Sequence, residues 1–184
     1  MTSASESAAE DLRYPIGKFS YDGDSSRVAI DRSIASVESL PSALRAAVDG
    51  LSDEQMSTPY RGGGWTPREV VHHVADSHMN AYIRMKLALT EDAPTVKPYD
   101  EAAWVRLADT RVLPVAVSLD LLDSLHARWV ALMRAMADSD FDRTYIHPDH
   151  QRSVPMREVA ALYAWHGRHH TAHIESLRER NRWT

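Results

Sequence analysis

Four stretches of the chain repeat apolar side chains every three or four residues, and this spacing restricts the possible folds more than any other feature of the sequence. The first carries Ile30, Ile34, Val37, Leu40, Leu44 and Val48, and the second Val70, Val74, Ala81, Met85 and Ala88. The third carries Leu121, Leu122, Leu125, Trp129, Leu132, Met133 and Met136, and the fourth Met156, Val159, Leu162, Tyr163, Ile174 and Leu177. Each stretch lays an apolar face along a helix. Four long helices, each with one face to bury, predict an all-α four-helix bundle. With 184 residues, 43% of them hydrophobic, the chain can bury a core without disulfides or a structural metal. A bound ion would therefore serve chemistry rather than folding.

Local signals set the expected boundaries. Residues 1–11 are small, polar and acidic and are expected to form a disordered tail, leaving 12–184 as a single domain. Residues 14–24 read as an extended, ordered arm carrying Tyr14, Ile16, Phe19 and Tyr21. The first helix should open after Ser25 or Ser26, kink or break at Pro41, and end at Gly50. Residues 52–55 form a capping box that opens a short turn, and Gly62–Gly64 make a loop. Thr66-Pro67-Arg68-Glu69 joins a capping box to a proline at the first helical position and gives the clearest helix start in the chain. A loop with two prolines follows over 90–101, with a short helix over 100–108. The third long helix is placed from Ser118. Residues 138–155 are turn-rich and suit a small hairpin, and the last helix runs from about 156 to about 180.

Several function classes drop out on composition. Formal net charge is −5 with scattered Lys and Arg, which is no footprint for nucleic acid. There is no cysteine, so thiolate ligands, disulfides and cysteine nucleophiles are excluded. The start lacks a basic region followed by an apolar one, and no apolar run reaches the ~20 residues of a membrane span. The expected location is the cytoplasm, with no membrane partner.

The chain has ten histidines, and four of them, His166, His169, His170 and His173, crowd the last helix. On a helical wheel the common direction of its apolar face falls between His166 and His170, each within about 20–30° of it, while His169 lies roughly 80° away. The 166/170 pair thus faces the bundle interior and the 169/173 pair its edge. Two imidazoles four residues apart on a buried face can share one ion, although a single interior histidine is more often an ordinary hydrogen-bonded core residue. No glutamate follows His166, which argues against a zincin-type protease. A third ligand must come from elsewhere. On the second helix the wheel puts His72 toward solvent, His73 at the margin near Ser77 and Asn80, and His78 well inside, slightly favouring His78. His126, His147 and His150 have no partner spacing. Asp76 and Glu175 read as solvated surface charges, and Trp65 as a packing residue close enough to His73 to shape a pocket.

At this point the chain resembles the DinB/YfiT family of four-helix-bundle, metal-dependent enzymes. The resemblance rests on residues 12–23 (LRYPIGKFSYDG), 58–92 (TPYRGGGWTPREVVHHVADSHMNAYIRMKLALTED) and 162–174 (LYAWHGRHHTAHI), supported by 97–104 (KPYDEAAW) and 122–136. The family pattern puts one ligand histidine eight positions after a tryptophan, which here is His73 after Trp65, and the other two in an HxxxH pair, here His166 and His170. It therefore agrees with the wheel on the pair and selects His73 over His78. It also implies one divalent metal per subunit, with zinc preferred and nickel as the alternative, a homodimer, and a cytoplasmic location.

Three histidine ligands leave a coordination position open, as catalytic sites do. The expected activity is metal-dependent hydrolysis of a small-molecule substrate. The alternatives are an S-transferase that activates a low-molecular-weight thiol and a non-catalytic metal-binding bundle. Lys97, Tyr99 and Asp100, in a long loop able to cover a bundle mouth, are the candidate substrate-binding residues.

Overall fold

Ser26 opens the first helix by accepting a hydrogen bond on its side chain from the Ala29 amide, and α1 then runs over Arg27–Val48. The computed structural model describes residues 12–183, so the expectation for the 1–11 tail lies outside the described residues. Ser52 and Gln55 form the expected capping box at α2, Asp53–Met56. Thr66 and Glu69 form another at α3, Pro67–Thr90, with Pro67 in the first turn. Two short helices follow, α4 over Glu101–Val105 and α5 over Ala108–Val112. The remaining long helices are α6, Val115–Ala135, and α7, Met156–Asn181. Between them, β1 (Thr144–His147) and β2 (Arg152–Pro155) pair antiparallel, Tyr145 opposite Val154. The 94–96 loop is pinned to this hairpin, because the Val96 amide donates to the Ile146 carbonyl (3.0 Å) and the Ile146 amide to the Pro94 carbonyl (2.9 Å).

The fold is the expected four-helix bundle. Helix α1 packs on α6 and α7, α3 packs on the same two, and α1 and α3 therefore stand on a diagonal. The arm at 14–24 is irregular and lies over α7, where Trp165 Nε1 donates to the Gly17 carbonyl (3.3 Å).

Two boundary expectations and one burial expectation need correction. Pro41 neither breaks nor ends α1 and is buried inside it. The third long helix starts at Val115, three residues early, because Pro114 occupies the N-cap position with an extended backbone that launches the helix directly. Leu121, expected in the apolar stripe, is 41% exposed.

The buried apolar residues fall into two groups. One gathers Ile30, Met85, Trp129, Met133, Phe141 and Met156 toward the hairpin end. The other gathers Leu44, Val70, Val74, Leu122, Ile174 and Leu177 toward the opposite end. Between them lies a polar waist built mainly of imidazoles.

Candidate metal centre

Helix α3 supplies His73 to this waist, and α7 supplies His166 and His170 one turn apart. Each offers one ring nitrogen, and the three nitrogens lie within 4.8 Å of one another. His73 Nε2 and His166 Nε2 approach to 3.3 Å. Ring centroids are 4.8 Å apart for His73 and His170 and 4.5 Å for His166 and His170. The 3.3 Å between His73 and His166 matches two nitrogens held at about 2.0–2.1 Å by one ion, and His170 supplies the third nearby.

Electrostatics favour the neutral, ligating form. Burial lowers the pKa of His73 to about 4. It holds His166 and His170 well below the ordinary imidazole value, with neighbouring imidazoles adding to the effect. Deprotonated rings present lone pairs, as metal binding requires. The Nδ1 of His170 is buried without a hydrogen-bond partner among the described residues, a cost that a bound ion could relieve only if this nitrogen were the donor.

The cluster opens on a cleft of about 390 Å³ lined by Trp65, Ser77, Glu101 and Tyr163 together with the three histidines. The Trp65 ring stands 4.5 Å from His73 and 6.1 Å from His170, forming one wall. Ser77 Oγ donates to Tyr163 Oη at 3.5 Å, the far limit of a hydrogen bond. A second cavity, about 340 Å³, lies on the other side of Trp65 and His170 and is lined by Arg13, Tyr14, Tyr60 and Arg61. The Arg61 Nε there is buried without a partner among the described residues.

Comparison with known proteins shows the family of the chain. A family model described as the DinB superfamily matches residues 37–174. The chain belongs to the DinB superfamily. Two relatives named "Putative metal-dependent hydrolase" are each 54% identical to it. One, from Bacillus mycoides strain KBAB4, aligns over 174 residues, 95% of this chain and 99% of the relative. The other, from Bacillus cereus strain B4264, aligns over 173 residues, 94% and 99%. Among solved structures, YfiT from Bacillus subtilis, described as a probable metal-dependent hydrolase with an unusual four-helix bundle topology, matches with a TM-score of 0.92 and 46% identity over 95% of this chain and 99% of its own. A mycothiol-dependent maleylpyruvate isomerase shares the fold, with a TM-score of 0.61 and 17% identity over 77% of this chain and 59% of its own.

Within this DinB-superfamily chain the remaining sequence candidates separate clearly. His78 is not in the three-nitrogen cluster. It is fully buried behind it, with Nε2 3.1 Å from His166 Nδ1. His72, which the wheel directs toward solvent, is instead buried, its Nδ1 2.8 Å from Ser118 Oγ. The wheel allows α3 one buried face, but α5 and the start of α6 cover a second. His169 and His173 lie at the bundle edge as expected yet are buried there. His173 stacks on Tyr60 at 4.0 Å and its Nε2 donates to the Arg13 carbonyl (3.1 Å), while His169 stacks on Trp165 at 4.3 Å.

The 97–100 loop sets its three candidates in different surroundings. Lys97 is exposed, and it is its carbonyl that accepts from Arg84 (2.6 Å). Asp100 caps α4 by accepting from the Ala103 amide (2.8 Å). Tyr99 has a buried hydroxyl without a hydrogen-bond partner among the described residues, and its ring packs tilted against Trp104 with centroids 4.4 Å apart. Burial and the nearby Tyr163 raise its pKa. The next residue, Glu101, lines the cleft. Sequence reasoning misses it because one position on a short helix carries no periodic signal.

Asp76 is not a fully solvated charge. It is half-buried on α3, and burial followed by repulsion from Asp109 raises its carboxyl from 3.8 to about 6. A carboxyl with a raised native pKa favours the fold at low pH, and that advantage is lost as pH rises through about 6. In metal-free protein, Asp76→Asn should therefore be more stable than the parent at pH 8 by about 1–2 kcal/mol, discounted for the solvent still reaching the group. Urea melts at pH 8 and pH 5 should show the gap narrowing at the lower value; an equal gap at both would assign the effect to something other than this ionisation.

Proposed function

We propose that this chain is a metal-dependent hydrolase in which His73, His166 and His170 hold one divalent ion, zinc in preference to nickel. The observation that carries the reading is the convergence of three neutral imidazoles from two helices at the floor of a cleft. An ion bound there lowers the pKa of water and polarises a substrate oxygen. Three protein ligands would leave room for the substrate.

The chain's own residues supply the rest. Glu101, exposed at the cleft, is the carboxylate among its lining residues and would take the proton of an attacking water. The Tyr163 and Ser77 hydroxyls offer hydrogen bonds to a polar substrate, and the Trp65 ring limits solvent on one side. The cleft volume suits a small molecule, and Tyr99 is the member of the 97–100 loop that would contact it, its buried hydroxyl lying near Tyr163 and Ser77 of the lining. Lys97 and Asp100 position that loop.

A thiol S-transferase is the second reading. It is favoured by the neighbouring cavity, which meets the cleft at Trp65 and His170 and presents Arg61, space for an anionic low-molecular-weight thiol beside the substrate. A single domain over 12–184, a cytoplasmic location and a homodimer complete the proposal. Dimerisation is supported by Val112, Leu113, Val117 and Leu121, exposed apolar side chains gathered where α5 meets α6. Tag-free protein, analysed for metal and assayed on acyl and phosphoryl esters with and without a small thiol, is expected to turn over without thiol, lose activity to a chelator and regain it with zinc or nickel. Strict thiol dependence would replace hydrolysis with transfer. Tight metal binding with no turnover on any electrophile would leave a non-catalytic bundle.

A further inference from the structure

Pro41 on α1 and His126 on α6 stand outside the three-histidine cluster, yet a continuous line of polar contacts joins them to it. A helical carbonyl accepts from the amide four residues later. Proline has no amide hydrogen, so the Val37 carbonyl on α1 has no such donor at position 41. That carbonyl lies 2.6 Å from His126 Nδ1 on α6. His126 Nε2 lies 3.0 Å from His78 Nδ1 on α3. His78 Nε2 lies 3.1 Å from His166 Nδ1 on α7.

The direction of this line is fixed at one end. A carbonyl can only accept, so His126 must carry its hydrogen on Nδ1. The rings are buried, where charge is costly, so each holds one hydrogen rather than two. His126 Nε2 is then a lone pair and accepts, which requires the hydrogen of His78 on Nδ1. His78 Nε2 in turn accepts from His166 Nδ1–H. The remaining nitrogen of His166, Nε2, is left with its lone pair facing His73 and the shared site. The reverse polarity would point a lone pair of His126 at the Val37 oxygen.

We propose that Pro41, through the Val37 carbonyl, makes His126 and His78 positioning residues that lock His166 in its Nδ1–H tautomer and reserve Nε2 for the metal. The inference rests on His166 being a ligand, the reading given above. His126 and His78 touch neither the ion nor the substrate. They act by removing the tautomer of His166 that cannot bind.

The surroundings keep the relay intact. Trp129 meets the His78 ring edge-on at 5.8 Å and the His126 ring at 6.0 Å, and Tyr163 meets His78 at 5.0 Å. Trp129 thus covers both rings, while His126 also borders a cavity of about 420 Å³ shared with Pro41 and Asp123. A ligand's outer partner of this kind is worth about 10- to 100-fold in metal affinity.

The test reads the tautomer directly in chelator-treated, metal-free protein by 15N NMR of labelled histidines, and separately measures zinc affinity. In the unaltered protein His126, His78 and His166 should all show a protonated Nδ1 and an unprotonated Nε2. His126→Leu removes the acceptor of His78, and His166 should shift toward the Nε2–H form with zinc binding about 10- to 100-fold weaker. His126→Gln keeps an acceptor for His78 and should restore both. An Nε2–H His166 in the unaltered protein would overturn the proposal without any variant, and so would a His126→Leu protein with His166 unchanged and zinc affinity at the parental value. If the tautomers are as stated but zinc does not bind, the metal assignment fails and the relay stands.

Discussion

His170→Ala and His73→Ala proteins, purified without an affinity tag, should lose nearly all bound metal while keeping their helical signal by circular dichroism. Each replacement takes one nitrogen from a group of three that lie within 4.8 Å. Metal affinity should fall by at least about 100-fold, the upper end of what removing a mere outer partner costs. Esterase turnover should fall with it, by about 10³-fold if the ion contributes several kcal/mol to the transition state. The fold should survive because neither apolar group includes these rings. Elemental analysis decides the matter, since full metal content in either variant would remove that residue from the ligand set.

Trp129→Ala should cost about 3–5 kcal/mol of stability. Trp129 is fully buried, donates from Nε1 to Met85 Sδ at 3.1 Å, and lies within ring contact of Tyr163 at 5.4 Å. Truncation opens a cavity beside the relay and leaves the adjoining imidazoles without packing on that side. Against a total of about 5–15 kcal/mol for a typical domain, such a loss brings the protein close to unfolding at ambient temperature. Urea titration of metal-free protein gives the value, and a loss below about 1 kcal/mol would mean that the neighbouring side chains collapse into the space.

The helices were legible because their causes are local. Ser26, Ser52 and Thr66 cap the helices that follow them whatever lies elsewhere in the chain, and the apolar period of α1 buries each of its six marked residues. His166 and His170 were legible for the same reason, since one helix carries both. The choice between His73 and His78 was not, because it depends on how α3 is rotated against α7, and only the family pattern pointed to His73. The burial of His72 was hidden because its cover comes from 46 positions later, at Ser118. Pro41 reads as a break because its tertiary compensation, the imidazole of His126, stands 89 residues from the carbonyl it satisfies. A wheel shows which face a residue occupies, not what another helix brings to meet it.

The line from Val37 through His126 and His78 to His166 visits α1, α6, α3 and α7 once each. Apolar faces rich in Leu, Val and Met forgive sliding, and a helix displaced along its axis by one turn, about 5.4 Å, can often find another set of hydrophobic neighbours. The imidazole line forbids this. Any such slip strands a chain of buried ring nitrogens and one backbone oxygen, at about 1–3 kcal/mol for each group left unpaired. The waist thus acts as a key that admits one axial alignment of the four rods, and the same alignment is the one that brings position 73 level with 166 and 170.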